Sequence, residues 1–264
     1  MGFEYISSKS NDKIKRVSLL MRSASERKKQ GVFVIEGLRL CNDSLLSGVN
    51  ANELYFTQDA YDKHNNDIQR LIESSKRAYC VTNDIISKIS DTNNSQGIVA
   101  VVSFEDVKTK DSINSNGRYI ACENVSDPSN LGAIARTAEA LGLSGMILID
   151  HCCDVYNPKA LRASMGSLLR LPIYHFADGA LLQKRCKENG MRMIASVVHG
   201  ASTEIKSFIF KNGDVVIIGN EANGMTDNVI DLCDEKITIN IKGRAESFNA
   251  AVAASIIMWE LSSI

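Results

Sequence analysis

A chain of 264 residues that is 44% hydrophobic and 23% charged, with a formal net charge of −1, can bury one large core or two moderate ones. Its three prolines and the absence of low-complexity tracts or repeats exclude a collagenous, solenoid or disordered chain. No stretch has the length and uniform apolarity of a membrane span, and the opening MGFEYISSKSNDKIKR lacks the apolar centre of a signal peptide, so a cytoplasmic protein is expected.

The near-zero net charge hides a local excess, because residues 1–40 carry nine Lys or Arg against four acids. From Asn11 to Ser23, Ile14, Val17, Leu20 and Met21 recur at helical intervals, which predicts an amphipathic helix with a basic exterior. Lys13, Lys15, Arg16 and Arg22, followed by Arg27, Lys28, Lys29 and Arg39, form either a solvated basic face or a phosphate-binding one. A strand at 32–35, a helix over about 37–46, a strand at 53–56 leading into a polar helix, a strand at 79–82 with another short helix, and a strand within 97–104 complete a small α/β domain over residues 1–105. Residues 106–117 hold one valine and one isoleucine among polar and small groups and read as a linker.

From residue 118 the pattern alternates: strand 119–122, helix 130–141, strand 146–149, helix 158–169, a short strand near 171–174, helix 178–189, strands 193–198 and 214–218, helix 225–232, strand 236–241, and helix 250–261. This implies an α/β domain over 118–264 with a mostly parallel sheet covered by helices on both faces. Ligands in such sheets lie outside the carboxyl ends of strands. Those ends carry Glu123-Asn124, His199-Gly200, the run Gly219–Gly224, and Ser247-Phe248-Asn249.

Three segments there carry chemistry. In NVSDPSNLGAIARTAEALGL (124–143), turn residues Asp127-Pro128-Ser129-Asn130 open a helix that Ser129 or Asn130 can cap. Gly132 and Ala133 allow close approach, and Arg136 falls about 200° from Ile134, away from the apolar stripe. In VVIIGNEANGM (215–225), a buried strand turns through G-x-E-x-x-G into a helix, without the glycine fingerprint of a dinucleotide site or a Walker lysine. In ITINIKGRAESFNAAVAASIIMWEL (237–261), a strand leads to a loop, a Ser247 or Asn249 cap, and a helix apolar around nearly its whole circumference, expected to be buried on several sides within the domain, against a partner subunit, or both. The seven cysteines lack metal-ligand spacing, and the pair in His151-Cys152-Cys153-Asp154 reads as structural thiols, so no metal is expected.

In this order the segments resemble the SpoU/TrmH family of SPOUT-class RNA ribose methyltransferases. The first matches N-x-x-D-P-x-N-x-G-x-x-x-R-T through Asn124, Asp127, Pro128, Asn130, Gly132, Arg136 and Thr137. The second matches G-x-E-x-x-G through Gly219, Glu221 and Gly224. The third has Ile239-Asn240-Ile241 and Ser247-Phe248-Asn249 where the family has I-P-M and S-L-N. LRASMGSLLRLP (161–172) resembles the family's R-x-S-x-G segment, and FVIEGLRL (33–40) after a basic helix resembles a substrate domain akin to small ribosomal proteins that bind kinked RNA.

The resemblance implies a deep trefoil knot, a homodimer, S-adenosyl-L-methionine as methyl donor, and RNA, most simply ribosomal RNA, as substrate. It assigns cofactor contacts to Gly219, Glu221, Gly224, Ile239, Ile241 and Phe248, and catalytic roles to Asn130, Arg136, Glu221, Ser247 and Asn249. It makes the eight N-terminal cations RNA contacts. The resemblance makes Arg136 the proton acceptor. An arginine stays protonated across the ordinary pH range and is a poor base, and orienting a phosphate or stabilising charge is physically easier, so Arg136 is expected to be essential with its role open between these. A transfer-RNA ribose methyltransferase and a non-catalytic RNA binder on the same scaffold are the competing readings.

Overall fold

The computed structural model describes residues 2–107, 113–149 and 151–263. Part of the expected linker, 108–112, lies outside the described residues. The fold is α/β and divides into two compact units, one formed by Met1–Lys108 with Tyr156–Arg170 and the other by Thr109–Val155 with Leu171–Ile264. The expected single cut at 106–117 is thereby corrected: the chain returns to the first unit once, between two strands of the second.

The first unit runs β1 (Glu4–Ile6), α1 (Asp12–Arg22), α2 (Ala24–Gln30), β2 (Val32–Glu36), α3 (Leu38–Leu46), β3 (Ala51–Thr57), α4 (Gln58–Lys63), α5 (Asn65–Ser74), β4 (Ala78–Val81), α6 (Asn83–Ile89) and β5 (Ile98–Ser103). Its sheet has the order β1-β4-β3-β5-β2, parallel from β1 to β3 and antiparallel beyond. The Asn11 side chain accepts from Lys13 N to cap α1, whose Ile14, Val17 and Leu20 are fully buried against the Tyr55–Tyr79 stack. Ser23 ends that helix and caps the next, and Gly31 at φ +66° releases the chain into β2. Helix α2 was not expected from sequence, since its one buried residue is Arg27 and it shows no apolar period.

The returning segment carries α8, while α7 (Pro128–Ala140) and β7 (Gly145–Ile149) precede it in the second unit. Helix α8 spans Pro158–Ala163 and stops short of the expected 169, because Met165 at φ +50° and Gly166 at φ +85° turn left-handed. The left-handed turn favours glycine at 166, where a Cβ would also come within 2.9 Å of the Arg170 Nη1 and Asp43 Oδ2 side-chain ends. Arg162 pairs with Asp91 at 2.5 Å and lies 3.9 Å from buried Glu36.

The second unit continues from β6 (Tyr119–Glu123) through α7 and β7 to β8 (Ile173–Phe176), α9 (Gly179–Glu188), β9 (Arg192–Ser196), β10 (Thr203–Glu204), β11 (Asp214–Ile218), α10 (Asp227–Leu232), β12 (Glu235–Thr238) and α11 (Ala250–Ser262). Seven strands pair in the order β10-β12-β9-β11-β6-β7-β8, parallel throughout. Every residue of β6, β7 and β11 is buried, which requires cover on both faces. Leu182 and Cys186 of α9 and Val229 of α10 join Tyr119, Ile147, Met193 and Val215 in one core, while α7 and α11 pack on each other and on β7 and β11.

The strand expected to run to Ile241 ends at Thr238, so Ile239 and Ile241 lie in the irregular connection before α11. That helix buries Ala250, Ala251, Ala254, Ile257, Met258 and Leu261 but leaves Val252 and Trp259 47% and 63% exposed in the single chain. Its carboxyl end is held by Arg118, which donates to Leu261 O and Ser262 O at 3.2 Å. Among the described residues no helix is long and apolar enough to cross a membrane.

Candidate active site

The strand order reverses beside β6: β7 and β8 extend the sheet one way, and β11 and β9 the other. At the carboxyl ends on this side, the chain after β11 folds into a tight loop, Gly219–Thr226. Asn220 and Gly224 exchange backbone hydrogen bonds of 2.9 and 3.0 Å, and a Cβ on Gly219 would fall 2.2 Å from Gly224 C and Met225 N. Only glycine fits at 219.

The three motif segments meet in one hydrogen-bonded chain. Asn249 Nδ2 donates to Asn130 Oδ1 at 3.0 Å, and Asn130 Nδ2 donates to Glu221 Oε1 at 3.0 Å. The Glu221 carboxylate also accepts from Asp127 N (3.2 Å), Ser126 N (3.3 Å), Ser126 Oγ (3.1 Å) and Asn220 Nδ2 (3.4 Å). Partial burial alone would raise this carboxyl, but the hydrogen bonds from Asn130, from its own backbone amide and from the Asp127 and Ser126 amides outweigh it and hold the group below its ordinary range. These donors favour the ionised form of Glu221 and fix its position.

Both helix starts are set by local capping. Asp127, not Ser129 or Asn130, caps α7 by accepting from Ser129 N at 2.8 Å, with Pro128 in the first turn, and the Asn130 side chain turns to Glu221 instead. Asn249 caps α11 through Ala251 N and Val252 N. Thr137 Oγ1 and Ser255 Oγ lie 3.3 Å apart, tying α7 to α11. Arg136, six residues past Asn130, is exposed and makes no hydrogen bond or ion pair with a described residue.

A cleft of about 370 Å³ is lined by Gly219, Glu221, Gly224, Ser247 and Phe248, with Ile218, Met225 and Ile230 as its apolar side. Ile239 and Ile241 line an adjoining recess of about 660 Å³ that shares Val198, His199 and Glu246 with it. His199 and Glu246 were not among the expected site residues; the position of His199 just past a strand end was the available signal, and Glu246 had none. Asn220 was also missed, although it donates to Asn124 O at 2.8 Å and accepts from Ala222 N and Asn223 N.

Burial disfavours the thiolate form of the adjacent Cys152 and Cys153. Cys152 Sγ points to Cys122 O (3.2 Å) and Ile149 O (3.5 Å), burial raises its thiol, and burial with neighbouring Cys152 and Glu221 pushes Cys153 up to about 12. Among the described residues no His, Cys, Asp and Glu cluster could hold a metal.

The sequence profile of the SpoU rRNA Methylase family matches residues 117–259. The chain belongs to this family. An MRM3-like substrate binding domain matches residues 11–100. An uncharacterized tRNA/rRNA methyltransferase of Synechocystis sp. is 30% identical over 97% of this chain and 92% of that protein. The 23S rRNA (guanosine(2553)-2'-O)-methyltransferase RlmP of Bacillus subtilis is 27% identical over 97% of this chain and 98% of that one. The crystal structure of an AdoMet-bound rRNA methyltransferase from Sinorhizobium meliloti matches with a TM-score of 0.86 at 26% identity, covering 98% of this chain and 97% of that one.

In this SpoU-family chain the N-terminal cations are not one uniform surface. Arg27 is corrected as an RNA contact: it is 2% exposed and donates to Leu20 O (2.5 Å) and Met21 O (3.3 Å), closing the end of α1. Arg16 is spent on Gln30 and both Glu53 oxygens, and Lys13 lies 5.1 Å over the Tyr79 ring. Lys15 and Lys29 pair with Asp12 and Glu26 on the surface. Arg22 and Lys28 are exposed without a partner among the described residues. Arg39 is exposed at the rim of a separate cavity of about 340 Å³ in the first unit.

Proposed function

We propose that this protein transfers a methyl group from S-adenosyl-L-methionine to a ribose 2'-hydroxyl of RNA, with ribosomal RNA as the substrate class. The observation that carries the reading is the convergence of Asn130, Glu221 and Asn249, from three separate motifs, on one hydrogen-bonded chain beside the cleft. The relatives that run the length of the chain, among them a 23S rRNA 2'-O-methyltransferase and an AdoMet-bound rRNA methyltransferase, support it.

The cleft suits the methyl donor in kind. Its volume is in the range of small-molecule sites, and it combines apolar Ile218, Met225, Ile230 and Phe248 with the backbone of a loop so tight that Gly219 tolerates no side chain. Gly219, Glu221, Gly224 and Phe248 would hold the donor, with Ile239 and Ile241 in the adjoining recess. When bound it supplies a methyl group on a sulfonium centre, open to in-line attack by the ribose oxygen.

The protein's part is alignment and charge management. Glu221, kept ionised by its donors, fixes the loop against the start of α7. Asn130 and Asn249 hold the entry to α11 at the same point, and Ser247 borders the cleft. Arg136 stands exposed on the solvent side of α7, where its guanidinium can hold an RNA phosphate bidentately. The first unit presents RNA through Arg22, Lys28 and Arg39, with Lys13, Lys15, Arg16 and Lys29 adding to the field, and the second unit carries out transfer. The reading extends to a trefoil-knotted cofactor domain, a homodimer formed through the exposed side of α11, and action in the cytoplasm.

The test is to map ribose methylation across ribosomal RNA in cells with and without the protein, and to restore the difference in vitro with purified protein and labelled S-adenosyl-L-methionine. Loss of one or a few 2'-O-methyl marks is expected. An unchanged map together with no measurable cofactor affinity by calorimetry would overturn the reading.

A further inference from the structure

The loop Gly219–Thr226 lines the cleft; Ala222, Asn223 and Gly224 within it are exposed, while Met225, 8% exposed, anchors it in the core. Beyond that anchor, its polar ties run to a single stretch of chain, from the end of β6 to the first turn of α7. At its start, Asn220 Nδ2 donates to Asn124 O at 2.8 Å; Asn124 sits at φ +54°, a conformation uncommon for a residue other than glycine. In its middle, the Glu221 carboxylate collects Ser126, Asp127 and Asn130. At its end, the direction reverses: Glu123, 0% exposed at the last position of β6, accepts from Thr226 N at 3.0 Å and from Thr226 Oγ1 at 2.5 Å.

Glu123 belongs to no motif used above and does not itself line the cleft. A fully buried carboxylate is unfavourable unless its oxygens are satisfied, and each Glu123 oxygen accepts from a donor of Thr226. Replacing it by an apolar residue would suit a buried sheet end. Its presence has to be explained by what it holds.

We propose that Glu123 and Thr226 are a positioning pair that fixes the far end of the cofactor loop, complementing the Glu221 tie at its centre. The pair pre-forms the wall of the cleft, so that the methyl donor binds without first ordering Asn220–Met225. This rests on the reading of the cleft as the S-adenosyl-L-methionine site.

The test uses the full-length protein with Thr226→Val, which keeps shape but removes the hydroxyl, and Thr226→Ser, which restores it. Amide hydrogen exchange is followed in the free protein, and S-adenosyl-L-methionine binding and steady-state kinetics are measured alongside. In Thr226→Val, exchange at Asn220–Met225 should speed up, and the dissociation constant and KM for the donor should rise about tenfold, the loss of one charge-assisted hydrogen bond, with kcat at saturation little changed. Thr226→Ser should return each value toward wild type.

Loss of the hydroxyl also weakens the cap of α10, because Thr226 Oγ1 accepts from Val229 N at 3.4 Å. That effect would appear as faster exchange within Asp227–Leu232 alone. Exchange confined to α10, or donor affinity unchanged in Thr226→Val, would overturn the proposal. If wild-type protein binds no donor, the proposed function falls, while exchange at Asn220–Met225 still decides whether the pair holds the loop.

Discussion

Around Glu221, donors from Ser126, Asp127, Asn130 and Asn220 converge on one half-buried carboxylate, whereas along α1 and α2 the cations are dispersed over separate partners. The first arrangement keeps a charge in place; the second consumes charges one by one, Arg27 on helix carbonyls and Arg16 on Glu53. Counting charged residues thus overstates the basic surface of the first unit, while counting them in the second would overlook its organising anion. What decides between the two outcomes is geometry: a capped helix start presents several backbone N–H groups to one acceptor, and an amphipathic helix spreads its polar side chains around its exposed arc.

The sharpest way to break this contrast is Arg136, the exposed cation of the convergent region. Arg136→Ala is expected to lower methyl transfer by roughly 10³-fold, the scale of losing a preorganised charge contact, while calorimetry finds donor affinity nearly unchanged. Retained activity would remove Arg136 from the site.

The next effect is on the anion. Glu221→Ala leaves two backbone amides and Asn130 without their acceptor and should lower stability by about 1–2 kcal/mol in denaturant titrations, the partly open setting keeping it at the lower end for a charged hydrogen bond. Glu221→Gln adds a pH test. A carboxyl whose pKa is depressed on folding contributes stability that is full above its unfolded value, ~4.3, and is lost as pH falls through the lower folded value. The stability gap between wild type and Glu221→Gln should therefore be constant near neutrality and close below pH ~4; a gap that widens in acid would contradict the lowered pKa.

The smallest effects lie on the dispersed side. Arg22→Ala with Lys28→Ala should weaken RNA binding and reduce the salt slope by about 2, one per phosphate contact. Arg27→Ala should leave that slope unchanged while lowering thermal stability, because it exposes orphaned carbonyls at the end of α1. A salt slope that responds to Arg27 rather than to Arg22 and Lys28 would invert the comparison.

Much of this was legible in the sequence for a definite reason. Parallel strands buried on both faces write continuous apolar runs such as VVII and GMILI, and the ordered motifs name the side chains that meet at the strand ends. The unread parts lack such a signature. Strand β1 buries only Ile6, and α2 buries only an arginine, so neither has a period to detect. The carboxyl end of β12 was overextended because Ile239 and Ile241 alternate like a strand while serving as a pocket wall. Exposure of Val252 and Trp259 on an all-apolar helix could not be told from burial, since composition does not say whether another chain covers a face. The role of Glu123 was hidden for the opposite reason: a single acid closing an apolar strand gives no hint of its partner 103 residues on.

The return of Tyr156–Arg170 to the first unit has a consequence for biosynthesis. The piece that supplies Arg162 to Glu36 and Asp91 is translated some 60 residues after β5, which at ordinary elongation rates means a delay of roughly 3–12 s. During that interval the first unit emerges without its last fifteen residues, and cotranslational folding would proceed to a sheet that must wait for its final segment. A ribosome stalled near residue 150, with β5 clear of the exit tunnel, should thus carry a first unit that is structured but more open to proteolysis around residues 36–43 and 91–96 than one stalled beyond residue 220.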